Sequence, residues 1–142
     1  MITSAWEFGK SDNAVLVRTA CNDSFDIFDE KSMQLILFNN NVPVANGALY
    51  FDDGAYHIAH VCVVPEHRGK YIGDLLMRVL LVKAFNMGAE KVCSAPPATV
   101  KAFFEKYGFL GDETLTVTEE TLLLKSKCGH DCTNYINKDM CK

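Results

Sequence analysis

The clearest periodicity in the chain lies at 71–87, where apolar residues fall at 72, 75, 76, 79, 80, 82 and 85. Spacings of three and four predict a helix buried on most of its circumference. Asp74 and Arg78 form an i,i+4 pair on its narrow polar stripe, and Gly88 is the expected terminating glycine. Upstream the pattern is that of strands. The runs 33–38, 42–51 and 56–64 are separated by Asn39-Asn40-Asn41 and Asp52-Asp53-Gly54 and closed by Pro65, which predicts an antiparallel meander. Residues 91–95 form a short strand after the helix. Residues 56–95 therefore read as strand, glycine loop, helix, strand. Such a crossover implies parallel pairing and a right-handed connection. Pro96-Pro97 opens a helix over 98–107, stopped by Gly108, and 114–117 and 121–125 read as closing strands. The first third is less patterned. It predicts a strand at 5–8, a helix capped by Asp12 or Asn13, and a second, acidic helical piece over 23–31. The fold class is α/β, with a mixed sheet.

Composition bounds the function. The 142 residues are 49% hydrophobic and 23% charged, as in an ordinary globular protein. They predict a single domain over 1–126 with a polar tail over 127–142. A net charge of -4 argues against nucleic acid as a partner. No run is apolar enough to span a membrane, and the N-terminal residues lack the pattern of an export leader. The expected location is cytoplasmic, with no membrane partner. The six cysteines then read as thiols, with Cys62 and Cys93 as inert members of apolar strands.

The segment Arg68-Gly69-Lys70-Tyr71-Ile72-Gly73 joins the third meander strand to the long helix. Unpaired N–H groups and the positive end of the helix dipole meet there. Gly69 and Gly73 permit close backbone approach, and Arg68 and Lys70 add charge. This is an anion site suited to phosphate. It matches neither the Walker loop nor the dinucleotide fingerprint.

The loop and its flanks resemble the GNAT superfamily of acetyl-CoA-dependent N-acetyltransferases. Val63-Val64-Pro65-Glu66 precedes a loop of the family type Arg/Gln-x-x-Gly-x-Gly/Ala, and Phe103-Phe104-Glu105-Lys106-Tyr107-Gly108-Phe109 matches a second family block. The resemblance is close over 58–109 and absent after about 125. It implies a mixed sheet with helices on both faces and a coenzyme A site. The pantetheine arm would pair with the strand at Val61, Cys62 and Val63. The pyrophosphate would sit on the N–H groups of Arg68, Gly69, Lys70, Tyr71, Ile72 and Gly73, with Phe104 beside the cofactor. It also implies acetyl transfer from acetyl-CoA to a primary amine by direct attack, the acceptor being a small molecule or a peptide, and a homodimer is compatible with it. Three positions depart from the family pattern. Tyr71 replaces the first loop glycine and should remain helical. Pro97 replaces an asparagine, and Phe104 replaces the tyrosine used as general acid. Tyr107 is the next phenol along that helix.

For proton removal, His57 and His60 lie on the strand facing the cofactor, and histidine suits that role near neutral pH. Three residues apart on a regular strand, they should face opposite sides. His57 is preferred because it lies further from the pyrophosphate loop. Glu66 is a weaker base and reads better as a cap. Asp23, Asp26, Asp29 and Glu30 form an acidic stretch that would attract a cationic amine. An alternative reading, prompted by Phe104, is an acyl-CoA-binding module without turnover. The tail carries Cys128, His130, Cys132 and Cys141, at a spacing matching no usual zinc pattern, so no metal is assigned.

Overall fold

The computed structural model describes residues 1–96, 101–107, 109 and 114–116. Among the described residues six strands form one sheet in the order β1-β2-β3-β4-β5-β6. They are β1 (Ile2–Phe8), β2 (Met33–Asn39), β3 (Val42–Asp52), β4 (Ala55–Val63), β5 (Lys91–Cys93) and β6 (Thr114–Thr116). All neighbours are antiparallel except β4 and β5, which are parallel across the crossover. Helix α1 (Asp12–Ala20) follows β1, α2 (Ile72–Asn86) joins β4 to β5, and α3 (Lys101–Glu105) precedes β6.

β1 begins three residues before the predicted start and covers the whole length of β2, from Ile2↔Asn39 to Phe8↔Met33. α1 is capped by Ser11, whose side chain accepts from the Ala14 N–H, and not by Asp12 or Asn13. The expected helix over 23–31 shrinks to a 3₁₀ turn, Ile27–Lys31. Asp26 and Asp29 close that turn with a reciprocal capping box. β5 ends at Cys93, two residues short of the expected strand. The strand expected at 121–125, the start of the helix at 98 and the cysteine-bearing tail lie outside the described residues.

Adjacent residues of β3 show how the layers stack. Asn46 accepts from Arg18 of α1 at 2.6 Å. A Cβ on Gly47 would lie 2.6 Å from Leu80 Cδ1 of α2. Neighbouring residues of a strand point to opposite faces, so α1 and α2 cover opposite faces of the sheet. Val44, Ala45, Asn46, Ala48 and Leu49 are all buried, as a two-sided strand requires. The core joins Leu35, Leu37, Leu49 and Ile58 of the sheet to Leu76, Met77, Leu80 and Leu81 of α2. No helix among the described residues is long and apolar enough to cross a membrane.

Candidate active site

β4 and β5 pair only at Tyr56↔Val92 and His57↔Cys93. Ser94 Oγ then donates to the Ile58 carbonyl at 2.9 Å. β4 continues to Val63 while β5 has ended, so the two strands part. The gap is a cleft of about 1310 Å³, larger than an ordinary small-ligand pocket. Its walls include Val61, Cys62 and Val63 of β4, Ser94 to Pro96, and Phe103 and Phe104 of α3. Arg68, Gly69, Tyr71 and Gly73 stand at the loop end, and Phe28, Tyr50 and His57 at the other.

β4 is bulged beside the cleft. Its register passes from Ala48↔Ala59 to Asn46↔Cys62, so His60 and Val61 together face Gly47. His60 has φ +55°, the strained conformation of a bulged, non-glycine residue. The bulge breaks the expected alternation, and both His57 and His60 line the cleft.

The two imidazoles are nonetheless unlike. Both nitrogens of His60 meet carboxylates: Nδ1 faces Asp23 at 3.2 Å and Nε2 faces Asp26 at 2.7 Å. Burial works to lower its pKa, but the Asp23 and Asp26 carboxylates outweigh it and raise the value. Carboxylates only accept, so a His60 that donates from both nitrogens clamps the 23–26 segment and has no lone pair to offer. His57 stacks on Tyr50 with ring centroids 5.0 Å apart, and Tyr50 stacks on Phe28 at 4.9 Å. His57 Nε2 lies 3.2 Å from the Asp52 carbonyl. A carbonyl only accepts, so Nε2 carries the proton and Nδ1 is the basic nitrogen. Burial, reinforced by Asp26 and Asp52, raises the Tyr50 pKa and keeps that phenol protonated.

The acidic stretch is largely compensated. Asp29 is buried and paired with Arg18 at 2.7 Å, and Gln34 Nε2 donates to it at 2.9 Å. Burial would raise its pKa, but these donors hold it below the usual value. Asp26, Asp29 and His60 offer ligand atoms within 4.8 Å of one another. The Arg18 guanidinium beside Asp29 opposes a metal cation there.

At the loop end, Tyr71 caps α2 with φ +63° and ψ +10°. This corrects the expectation of a helical Tyr71. The position is left-handed, the conformation glycine enters at least cost, which accounts for the family's glycine there. Among the described residues no side chain caps the N-terminus of α2, and first-turn N–H groups have no intrahelical acceptor. Gly69 has φ +80°, and a Cβ there would meet nothing within 4 Å. This open, uncapped helix end fits a pyrophosphate. Arg68 Nε donates to the Val63 carbonyl at 2.8 Å. Lys70 is exposed beyond the cleft lining, and the Ile72 side chain is in the core, so Ile72 offers backbone alone.

The second block requires another correction. Tyr107 is 1% exposed and packs in the core. Its hydroxyl donates to the buried Asp74, whose other oxygen accepts from Arg78 Nε at 2.8 Å. Tyr107 therefore braces α3 against α2 and presents no phenol to the cleft. The Asp74–Arg78 pair forms as expected, but Asp74 is only 4% exposed. Cys62 and Cys93 also differ from expectation, since both line the cleft. Cys21, Phe28 and Tyr50 were missed. They come from three elements distant in the sequence, and none carries a local motif.

Comparison with known proteins agrees with this geometry. Residues 3–109 match the Acetyltransferase (GNAT) family. The chain belongs to that family. GNAT proteins transfer acyl groups from acyl-CoA. The chain is 23% identical over 87 residues to the uncharacterized N-acetyltransferase YjcF of Bacillus subtilis. That match covers 61% of this chain and 62% of the Bacillus protein, so it spans less than two thirds of that curated relative. Among solved structures, a predicted acetyltransferase of Clostridium acetobutylicum with acetyl-CoA superposes with a TM-score of 0.63 at 19% identity, covering 83% of this chain and 96% of that one. Escherichia coli ElaA gives 0.63 at 20% identity, covering 76% and 86%. The IAA acetyltransferase of Bacillus cereus gives 0.66 at 16%, covering 76% of each. At these identities the likeness concerns the fold.

Proposed function

We propose that this GNAT protein is an N-acetyltransferase that moves an acetyl group from acetyl-CoA to a primary amine by direct attack. The observation that carries the reading is the parting of β4 and β5 beyond His57 and Cys93, with the uncapped start of α2 at the mouth of the gap. The β4 backbone at Val61 to Val63 would hold the pantetheine arm, and N–H groups from Gly69 to Gly73 would hold the pyrophosphate. His57 Nδ1 is suited to take the proton that the amine sheds. The Tyr50 phenol, stacked on that imidazole, is a proton source in the same wall. The reaction forms a bond from nitrogen to the acyl carbon and breaks the bond from carbon to sulfur, and the departing thiolate takes up a proton.

Asp23 and Asp26 would favour a cationic acceptor. The pull is weaker than four acidic residues suggest, because His60 shares both and Arg18 neutralises Asp29. Calorimetry with acetyl-CoA tests the cofactor half: saturable one-to-one binding is expected, and no binding rejects it. Release of free CoA with a panel of amines and peptides tests the catalytic half. A second reading, an acyl-CoA-binding module, is favoured because Phe104 of α3 is apolar and Tyr107, just past α3, is sealed against Asp74. Tight binding with no turnover on any acceptor would establish it.

A further inference from the structure

His60 joins two parts of the chain in the wall of the cleft. It sits on the β4 bulge, and Asp23 and Asp26, which line the same cleft, come from the segment after α1. His60 Nδ1 lies 3.2 Å from both oxygens of Asp23, and Nε2 lies 2.7 Å from Asp26 Oδ2. Asp29 Oδ2 stands 3.8 Å from Nε2, and Asp29 is itself paired with Arg18 of α1. Gly47 of β3, opposite the bulge, brings no charge. The strand of His60 also carries the titratable Tyr56, His57 and Cys62.

Carboxylates only accept hydrogen bonds, and a neutral imidazole donates from one nitrogen alone. Holding Asp23 and Asp26 together therefore takes both ring protons. The two carboxylates are unequally anchored. Asp26 Oδ1 accepts from the Phe28 N–H at 2.9 Å, and the Asp26 N–H donates to Asp29 Oδ2 at 2.8 Å, so the capping box fixes Asp26 without His60. Among the described residues the Asp23 carboxylate has no hydrogen-bond donor besides His60.

We infer that His60 is a proton-operated latch in the cleft wall: with both ring nitrogens protonated it holds Asp23 and Asp26 together, and on losing the Nδ1 proton it keeps Asp26 and releases the Asp23 carboxylate to the cleft. Burial opposes the protonated ring, but Asp23 and Asp26 outweigh burial and Arg18 and raise its pKa above the ordinary 6.5. The latch is thus closed below about pH 6.5 and opens as pH rises through the folded value. The group of His60, Arg18, Asp23, Asp26 and Asp29 then passes from one net negative charge to two. The consequence for the acceptor rests on the proposed function. A unit charge met at about 4 Å in water-like surroundings changes affinity about fivefold, so a cationic acceptor should bind more tightly once the latch is open.

Carbon-detected NMR of the labelled full chain, from about pH 5.5 to about pH 9.5, tests the latch. The His60 ring and the Asp23 carboxylate carbon should move together with one midpoint above 6.5, and the Asp26 carboxylate carbon should move less. His60→Asn should abolish the step at Asp23, and Asp23→Asn should lower the His60 midpoint. An Asp23 carbon that stays still through the His60 titration, an Asp26 carbon that moves further than Asp23, or a His60 midpoint below 6.5 overturns the inference. The acceptor consequence is read by titrating (2-aminoethyl)trimethylammonium and its less charged isostere 3,3-dimethylbutylamine into the protein. Preference for the fixed charge, taken relative to His60→Asn at each pH, should rise about fivefold across the same midpoint. A coupled step with a flat preference, or with neither amine bound, would leave the latch standing and reject the acceptor side of the proposed function.

Discussion

Replacing Arg18 with methionine removes the cation at the centre of a buried polar network. Arg18 is 1% exposed. Its Nη2 donates to Asp29 Oδ1 at 2.7 Å and its Nε to Asn46 at 2.6 Å. Its guanidinium also lies 4.5 Å from the centre of the Phe25 ring. Removing one partner of a buried ion pair costs about 3–5 kcal/mol, because the other charge stays behind in a poorly solvated site. Here the Asp29 side chain has no exposed surface, but it keeps Gln34 Nε2 at 2.9 Å and the Asp26 N–H at 2.8 Å. Methionine also restores part of the aliphatic packing. The expected loss is therefore near the lower end, about 3 kcal/mol. With a urea m-value of about 2 kcal/mol/M, the midpoint should fall by about 1.5 M. Far-ultraviolet circular dichroism during urea unfolding gives the number. Asp29→Leu removes the other charge. The double variant should cost less than the sum of the two singles by at least about 2 kcal/mol. A loss below about 1 kcal/mol for Arg18→Met, or strict additivity in the cycle, would refute the account of Asp29 as a charge that needs its guanidinium.

Further outcomes follow from the same geometry. Tyr107→Phe should lower stability by about 1–3 kcal/mol, because buried Asp74 loses a donor. It should leave the pH profile of kcat unchanged, and a lost alkaline limb would restore Tyr107 as the acid. Gly47→Ala should cost about 1–3 kcal/mol through overpacking against Leu80, and a melting temperature equal to wild type would dispute the close approach of α2 to β3. The pKa of His60 is raised above 6.5 in the folded state, so its clamp is fully present below about pH 6.5 and fades as pH rises through the folded value. The stability advantage of wild type over His60→Asn should then be larger at about pH 5.5 than at about pH 8.5, and an advantage that grows with pH contradicts the sign.

The long helix, the meander and the loop between them were legible because each is a local pattern. Apolar residues at spacings of three and four and glycine at the helix end act within a few residues of themselves. That is why the anion site at Arg68 to Gly73 could be read from a single line of sequence. The structure decided what depends on distant partners. Tyr71 is left-handed because the chain must turn sharply from the loop into α2. His57 and His60 share the cleft because two residues of β4 are set against Gly47, which no alternation rule foresees. Tyr107 lost its catalytic assignment to a carboxylate thirty-three residues away, and Cys21 lines the same cleft as β4 residues only because the fold brings the end of α1 there. Periodicity and spacing determined the elements and the phosphate loop. Tertiary packing alone decided which polar groups face the cleft, because burial and hydrogen-bond partners belong to the assembled sheet.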